Sequence, residues 1–145
     1  MENKRIWEEK VKTASEHYLN LNDGGFDENM KAKLYEFNYE EKSVSYEFET
    51  QKWQINERGA IHGGAISGIL DTAFGIVANF TAGPNEATTT DMTITYLREL
   101  EYGDKCIIKV YIVKAGRKLI RQRAEVTSKK TGKLVATAVG SWMPL

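Results

Sequence analysis

The chain has 145 residues, of which 41% are hydrophobic and 28% charged, and its formal net charge is zero. This composition is ordinary for a globular protein, and the length fits one domain. We therefore expect a single domain over residues 1–145, with a helix and loop over 1–25 and the core over 33–145. The charged N-terminus has no apolar signal core, no run of about 18 apolar residues occurs, and Cys106 has no second cysteine to pair with. These features predict a cytoplasmic protein with no membrane association and no intrachain disulfide.

The charge is unevenly distributed along the chain although it sums to zero. Residues 1–50 hold 7 basic and 12 acidic side chains, whereas residues 98–133 hold 11 basic and 4 acidic ones. A basic second half could bind a polyphosphate or a nucleic acid. However, many of these lysines and arginines take alternate positions in strand-like segments, where a solvated face is the default. No RNP-like, zinc-finger or helix-turn-helix pattern accompanies them, so we expect no nucleic-acid partner.

The first third of the chain predicts one helix and two strands. Four apolar residues spaced as one stripe indicate an amphipathic helix over residues 2–19. Aromatic and β-branched residues in alternation indicate the strands. The stripe is Trp7, Val11, Ala14 and Tyr18. After the helix we expect a break over Asn20–Gly25, strands over Leu34–Glu40 and Ser43–Thr50, and a loop over Ile55–Ile61.

A long apolar segment from about Gly63 to Phe80 predicts a central helix, because its apolar residues recur at helical spacing. Asp71 is the only ionisable residue between Ala65 and Phe80, and a carboxylate is costly to desolvate, so we expect it to have a use. The side of the helix that carries Asp71 has no Lys, Arg or Glu but several glycines. This predicts a helix buried on both sides, with Asp71 facing a narrow gap that another backbone or a ligand approaches closely. The alternative is a packing groove in which Asp71 bonds to a neighbouring backbone. The apolar side comprises Ile66, Ile69, Leu70, Ala73, Phe74, Ile76, Val77 and Phe80, and the other side Gly64, Gly68, Asp71 and Gly75.

Gly83-Pro84-Asn85 ends this helix, and four strand-like segments follow it. Because the connections after residue 86 are short, we expect an antiparallel meander whose apolar face wraps around the central helix. The order of elements is helix, two strands, long helix and four strands, which indicates an α+β fold. The four strands are Thr88–Tyr96, Lys105–Lys114, Lys118–Ser128 and Leu134–Met143.

The familiar catalytic and metal-binding motifs are absent from the sequence. Two histidines and one cysteine cannot supply the usual zinc site, and no His-Glu-x-x-His occurs. The segment 64–68 lacks the Gly-x-Ser-x-Gly spacing of a nucleophile elbow, and there is neither a Walker loop nor a dinucleotide fingerprint. Cys106 alternates as an inward strand residue. We therefore expect no metal or redox cofactor, and chemistry from carboxylate, amide, hydroxyl and backbone groups.

Two segments together carry a family resemblance. They are Asn56-x5-His62-Gly63-Gly64-x6-Asp71 and Thr89-Thr90-Asp91-Met92-Thr93-Ile94-Thr95-Tyr96-Leu97-Arg98. With this spacing the chain resembles a hotdog-fold acyl-CoA thioesterase of the PaaI-like branch, over about residues 50–143. The resemblance implies a curved antiparallel β-sheet wrapped around one long central α-helix, with the N-terminal helix as an extra element. It also implies homo-oligomers, either dimers or dimers of dimers (homotetramers), with active sites at the protomer interface.

The resemblance assigns four catalytic roles. Asp71 matches a carboxylate that acts as general base toward water or as nucleophile, and Gly63 matches a residue whose backbone N–H polarises the thioester carbonyl. An N–H at a helix start lacks an intrahelical partner and favours negative charge. Asn56 matches an amide that orients the water or acyl group, and Thr89 a hydroxyl that helps to hold the water. Thr89 stands where relatives often have Ser, and Glu57-Arg58 where they often have a proline.

Each match also has a purely structural alternative. Asn56 could form a turn before Gly59, His62 could serve only to start the helix, and Thr89 could be an ordinary strand residue. For substrate binding, the resemblance points to Tyr96 beside the pantetheine arm and to a basic loop between two strands, since the phosphates of CoA need cations. The expected substrate-binding residues are His62, Tyr96, Lys114, Ala115, Gly116, Arg117 and Lys118.

The expected reaction is hydrolysis of an acyl-CoA thioester to the free carboxylic acid and CoA, with no cofactor beyond the coenzyme A of the substrate. One alternative is a hotdog enoyl-CoA hydratase, because Glu57 and His62 echo an acid–histidine pair of that branch. Another is a non-catalytic acyl-CoA-binding protein. Acyl-chain specificity stays open, because it depends on how residues such as Trp53, Phe74 and Met92 and the N-terminal helix surround the acyl end.

Overall fold

The computed structural model describes residues 2–145, in which one antiparallel sheet packs against a long helix. The predicted helices and strands are present within a few residues of their expected ends, and one short helix, α2, was not predicted. The helices are α1 (Lys4–Leu19), α2 (Phe26–Met30) and α3 (Gly63–Ala82), and a 3-10 turn covers Lys52–Gln54. The strands are β1 (Lys33–Asn38), β2 (Ser43–Glu49), β3 (Ala87–Tyr96), β4 (Lys105–Ala115), β5 (Ile120–Ser128) and β6 (Leu134–Pro144).

The long helix α3 begins and ends for local reasons. His62 has an extended backbone (φ −60°, ψ 139°), and its Nδ1 accepts a hydrogen bond from the Gly64 N–H at 2.8 Å, which caps the helix start. At the other end Gly83 takes a φ of 82°, a conformation that favours glycine. By length and composition alone α3 could span a membrane, but half of its apolar stretch is buried inside this fold. Its apolar side forms the centre of the core, with Ile69, Leu70, Phe74, Ile76 and Val77 buried.

The six strands form one antiparallel sheet in the order β1-β2-β4-β5-β6-β3. The expectation of a simple meander after residue 86 is wrong for β3, which pairs with β6 and not with β4. The segment 97–104 leaves β3 alongside β6, where the N–H groups of Leu97 and Arg98 donate to the Val135 carbonyl oxygen, and does not turn back on β3. Leu100 is buried, and its carbonyl oxygen accepts a hydrogen bond from the Ile61 N–H at 2.8 Å. Only β4, β5 and β6 form a meander, and β1 and β3 are the two edges of the sheet.

Helix α1 packs its predicted stripe against the core. Trp7 and Val11 are buried, and Ala14 and Tyr18 pack against the buried cluster, which confirms the predicted amphipathic helix. Cys106 also lies in the core, as predicted, and burial raises the pKa of its thiol to about 12. A thiol with this pKa is protonated at neutral pH and is a poor nucleophile. Cys106 is therefore a packing residue.

Candidate active site

Asp71 and Thr89 meet on the side of α3 that faces away from the core. The Thr89 hydroxyl donates a hydrogen bond to Asp71 Oδ1 at 2.8 Å. Asp71 is partly buried, and among residues 2–145 it takes part in no ion pair. The structure thus brings together two of the four residues that the sequence singled out for catalysis. It leaves Asp71 Oδ2 available to accept a proton.

A β-bulge in β3 turns Thr89 toward the helix. Met92 and Ile94 pack against the core, so strict alternation along the strand would place Thr90, and not Thr89, on that side. The register between β3 and β6 shifts at this point, and the extra residue Thr90 donates its hydroxyl to the Ser141 carbonyl oxygen at 3.0 Å. The side-chain direction is therefore reversed upstream of the bulge. This reversal is what allows the Thr89 hydroxyl to reach α3.

Gly140 on the neighbouring strand makes room for this bulge. A Cβ atom added at Gly140 would lie 2.4 Å from the Asp91 carbonyl oxygen, which is closer than non-bonded atoms approach. Any side chain at position 140 would push the bulged backbone away. Gly140 therefore helps to set the direction of Thr89 without touching it. Sequence reasoning missed this residue, because an isolated glycine in a strand indicates a bulge only in general terms.

The start of α3 presents an N–H group without a partner. Gly63 is the first helical residue, and nothing in the described part of the chain accepts its N–H, as expected for a first helical turn. The next N–H, of Gly64, is capped by His62, so a neutral His62 ring carries its proton at Nε2. The Tyr96 hydroxyl donates to the Gly63 carbonyl oxygen at 2.8 Å. Tyr96 and His62 together hold the free Gly63 N–H in place.

Asn56 forms a turn and still keeps a free donor. Its Oδ1 accepts hydrogen bonds from the N–H groups of Arg58 at 2.8 Å and Ala60 at 3.2 Å, so the turn suggested as an alternative role is present. Its Nδ2 donates to no group within residues 2–145. Asn56, Gly63 and Tyr96 line one cavity of about 360 Å³. The turn therefore fixes an amide donor near the free N–H at the helix start.

The pair Asp71 and Thr89 lies far from the pair Asn56 and Gly63 within one chain. Asp71 follows Gly63 by eight residues, and a rise of 1.5 Å per residue separates them by about 12 Å along the helix axis. One reacting carbonyl cannot touch both at that distance. The Asp71 side of α3 is also open, since a Cβ at Gly75 would have nothing within 4 Å. The expectation of a helix buried on both sides is therefore wrong for the single chain, because the sheet covers only the apolar side.

Phe26 from α2 covers part of the glycine stripe. A Cβ at Gly68 would lie 2.4 Å from the Phe26 ring, so the close approach expected from the sequence is made by an aromatic side chain and not by a backbone. Helix α2 is held there by Asp27, whose carboxylate accepts a hydrogen bond from the Thr72 hydroxyl at 2.7 Å. Five residues are too few to show helical periodicity, so α2 gave no signal in the sequence.

The basic loop lies at the same end of the sheet as Thr89. Strand register places Ala115 opposite Ile120, Ile120 opposite Trp142, and Trp142 opposite Thr89. The loop is therefore about three strand spacings, or about 14 Å, from Thr89. The Gly116 N–H donates to the Leu119 carbonyl oxygen at 3.0 Å and closes the turn. The loop exposes Lys114, Arg117 and Lys118 to solvent.

The acid–histidine pair of the hydratase alternative is not assembled. The Glu57 side chain is 88% exposed, and its nearest cationic partner is Arg58 at 3.9 Å. His62 directs Nδ1 to the Gly64 N–H instead. The geometry therefore supplies no paired acid and histidine at the helix start.

A long helix wrapped by a six-stranded antiparallel sheet, with a carboxylate midway along the helix and a free N–H at its start, defines the hotdog class of thioesterase-like proteins. A family model described as the thioesterase superfamily matches residues 58–135. The match covers more than half of the chain. The chain belongs to the thioesterase superfamily.

Individual relatives agree with this family and with the fold of the PaaI-like resemblance. Acyl-coenzyme A thioesterase 13 of Mus musculus is 29% identical over 90 residues, which are 62% of this chain and 64% of that protein. The chain thus spans less than two thirds of that relative. The PaaI protein of the phenylacetic acid degradation operon of E. coli has the same fold, with a TM-score of 0.79, 20% identity and 94% of each chain covered. The smu.793 protein of Streptococcus mutans UA159, solved with acetyl CoA, has a TM-score of 0.71 and 23% identity over 87% of this chain and 94% of its own.

Proposed function

We propose that this protein hydrolyses acyl-CoA thioesters to the free carboxylic acid and CoA. The observation that carries the proposal is the hydrogen bond from Thr89 to Asp71, on a helix whose first N–H, at Gly63, has no partner. A carboxylate with a free oxygen can take a proton from water. An unpaired N–H at a helix N-terminus can stabilise an oxyanion. These are the two kinds of group that hydrolysis of a thioester requires.

The proposed reaction begins when water attacks the thioester carbonyl carbon while Asp71 takes one proton from that water. The carbonyl oxygen becomes an oxyanion, which accepts hydrogen bonds from the Gly63 N–H and from Asn56 Nδ2. The tetrahedral intermediate then collapses, the C–S bond breaks, and the leaving thiolate takes the proton from Asp71. Thr89 holds the carboxylate in one orientation through its donated hydrogen bond.

The reaction requires a second copy of this chain, because Gly63 and Asp71 of one chain lie about 12 Å apart. Strand β3 supports such an assembly. It is an edge strand of ten residues whose only charged side chain is Asp91, and an edge without Lys or Pro readily pairs with another chain. Two copies of β3 paired about a two-fold axis would run the two α3 helices antiparallel. Asp71 of each protomer would then approach the helix start of the other, so we include a homodimer, which can pair into a tetramer, in the proposal.

Coenzyme A fits the charge distribution around this site. Its phosphates require cations, and the basic loop supplies Lys114, Arg117 and Lys118. Tyr96 lies beside the cavity that Asn56 and Gly63 line, where a pantetheine arm would reach the reacting carbonyl. The Streptococcus mutans protein of the same fold was solved with acetyl CoA, which supports this class of substrate. The reaction uses water and groups of the chain itself.

The test measures free thiol released from acyl-CoAs by the wild-type protein and by Asp71→Asn. Asparagine keeps the shape of the side chain and an acceptor for Thr89, but it cannot take a proton. We expect turnover to fall by at least about 10²-fold while acyl-CoA binding is retained. Wild-type rates in Asp71→Asn would overturn the mechanism. Absence of thiol release by the wild-type protein from short, medium, long and aryl acyl-CoAs would overturn the function.

A mixing experiment tests whether two protomers share the site. Asn56→Ala and Asp71→Asn each disable one half of it. When equal amounts exchange subunits, half of the dimers are mixed, and each mixed dimer holds one intact site. Activity should therefore recover to about a quarter of the wild-type value. If subunits exchange, as shown by mass labelling, and activity stays at the level of the separate variants, the shared site is wrong.

A further inference from the structure

A second cavity, the aromatic cavity, lies on the other flank of the α3 start. It has a volume of about 230 Å³, and its walls include Phe26, Trp53, Gln54, His62 and Gly64. Two of these side chains are aromatic rings that remain exposed, Phe26 at 56% and Trp53 at 59%. Exposed aromatic rings around a concave apolar surface are typical of binding sites. The proposed catalytic groups leave this cavity without a role.

The walls of the aromatic cavity are held in place by hydrogen bonds and packing. Trp53 Nε1 donates to Gln51 Oε1 at 2.9 Å, and Gln51 Nε2 donates to the Asn29 carbonyl oxygen at 2.7 Å. Gln51 therefore links the Trp53 ring to helix α2. The Phe26 ring in turn rests on Gly68 of α3. The cavity is thus preformed, which lowers the cost of binding.

Gln54 lines this cavity and carries an unpaired, buried donor. Its side chain is buried, with 2% exposure. Its Oε1 accepts a hydrogen bond from the Gln51 N–H at 2.9 Å, which fixes the orientation of the amide group. Its Nε2 has no acceptor within residues 2–145. A buried donor without a partner is unfavourable, and an acceptor oxygen on a bound molecule would supply the missing partner.

The aromatic cavity begins beside the proposed oxyanion donor. His62 and Gly64, which flank Gly63, both line it. The cavity on the opposite flank contains the charged side chains of Arg58 and Arg98. An apolar acyl group attached to the reacting carbonyl therefore favours the aromatic cavity. The more polar pantetheine arm then takes the charged side.

The volume of the aromatic cavity indicates the size of the group that it can enclose. A protein cavity of about 150 Å³ binds benzene. In proportion, 230 Å³ accommodates about nine atoms of carbon size. A compact acyl group fits within this volume, whereas a long fatty acyl chain would have to extend beyond it.

From these observations, and resting on the hydrolase function proposed above, we infer that the aromatic cavity binds the acyl group and that Gln54 determines acyl specificity. The site selects compact acyl groups that carry a second oxygen, as an oxo or hydroxyl group, beyond the thioester carbonyl. Contact with the acyl group has to uncover Gln54 Nε2, which then donates to that oxygen. An unsubstituted alkyl group of the same length cannot accept a hydrogen bond from Gln54 Nε2, and it displaces any water that did. The transition state of an alkyl substrate is therefore bound less tightly than that of an oxo substrate.

The test compares kcat/KM for hexanoyl-CoA with kcat/KM for 3-oxo-, 4-oxo- and 5-oxohexanoyl-CoA. We expect the wild-type protein to favour at least one oxo substrate by about 5- to 10-fold. Gln54→Met removes the donor at similar length, and Gln54→Glu keeps an acceptor for the Gln51 N–H but loses the donor. Both variants should lose the preference. Because an oxo group also alters intrinsic reactivity, the quantity to compare is the oxo-to-alkyl ratio in each variant relative to the wild type.

Gln51→Ala is the matched control, because it loosens Trp53 and α2 but leaves the Gln54 donor in place. It should lower the rates for both kinds of substrate alike and retain the ratio. The inference is overturned if the wild-type protein hydrolyses hexanoyl-CoA without any oxo preference, if the preference survives in both Gln54 variants, or if Gln51→Ala abolishes it equally. These outcomes leave the proposed function standing. Failure of the wild-type protein to hydrolyse any of the four substrates or other acyl-CoAs overturns both.

Discussion

Replacing Gly63 with proline would delete one N–H group from the proposed site and put the ring Cδ atom in the place of its hydrogen. Proline is well tolerated at the first position of a helix, where the N–H has no intrahelical partner. His62 already has φ −60° and ψ 139°, the extended conformation that a following proline requires. A side chain also fits, since a Cβ at Gly63 would lie 3.5 Å from the Tyr96 ring, an ordinary contact distance. The fold should therefore accept Gly63→Pro.

The expected loss is that of one oxyanion donor. Removing such a donor costs about 10²-fold in kcat, or about 2.7 kcal/mol of transition-state stabilisation. The substitution should lower kcat more than it raises KM. The reason is that the hydrogen bond from the Gly63 N–H becomes strongest when the carbonyl oxygen is negatively charged, in the transition state. Asn56 Nδ2 remains as a second donor, so some activity should persist.

Thiol release at saturating acyl-CoA is the assay, with thermal unfolding as the check on folding. Gly63→Ala is the control, because it places the same Cβ beside Tyr96 but keeps the N–H. We expect Gly63→Ala to stay within about threefold of wild-type turnover, and Gly63→Pro to lose about 10²-fold. Equal turnover in the two variants, whether high or low, would refute the assignment of the Gly63 N–H as the oxyanion donor.

Three further outcomes follow from the packing and the charges. Gly75→Ala should weaken self-association, measured by sedimentation, because the proposed partner subunit covers this open side of α3. The prediction is wrong if self-association is unchanged and the free energy of unfolding rises by about 0.5–1 kcal/mol, as expected for a solvent-exposed helix position. Gly140→Ala should cost about 1–3 kcal/mol in urea unfolding, because its Cβ would lie 2.4 Å from the Asp91 carbonyl oxygen; unchanged stability would contradict this reading of the bulge. Lys129, which donates to Glu47, lowers the pKa of that carboxyl, so the stability from this pair is present above the usual carboxyl pKa and is lost as the pH falls through the lowered value. Glu47→Gln should therefore lower the free energy of unfolding at pH 7, and this effect should shrink as the pH falls through the lowered pKa of Glu47; a difference that persists undiminished in acid would count against the pair.

The sequence predicts a helix or strand well when a long periodic pattern of apolar residues is bounded by residues that start and end such an element. Helix α3 has both, because apolar residues recur along its length, His62 caps its start, and Gly83 ends it. The stripe of Trp7 and Val11 likewise predicted α1 and its buried side. The residues proposed for catalysis were found through the family spacing, and the structure joins Asp71 to Thr89 by a hydrogen bond.

The rest depends on contacts between residues far apart in the sequence. Nothing in the alternation of β3 shows that it pairs with β6, because the residues it bonds to lie about 40 or more positions further along the chain. The bulge that turns Thr89 toward Asp71 depends on space left by Gly140 on another strand. The sequence also could not show that one side of α3 is open in the single chain. A helix side without charged residues other than Asp71 indicates burial, but it does not show whether the same chain or a second chain covers it.

Helix α2 adjoins the aromatic cavity without being part of the sheet or of the central helix. Asp27 bonded to Thr72 and Asn29 bonded to Gln51 tie it down, and Phe26 projects from its first turn over α3. Mutations in this five-residue segment would reshape the surroundings of an acyl group while sparing the hydrolytic groups. Because α2 is separate from the residues proposed for hydrolysis, a few substitutions in it could change acyl preference during evolution without altering the catalytic groups.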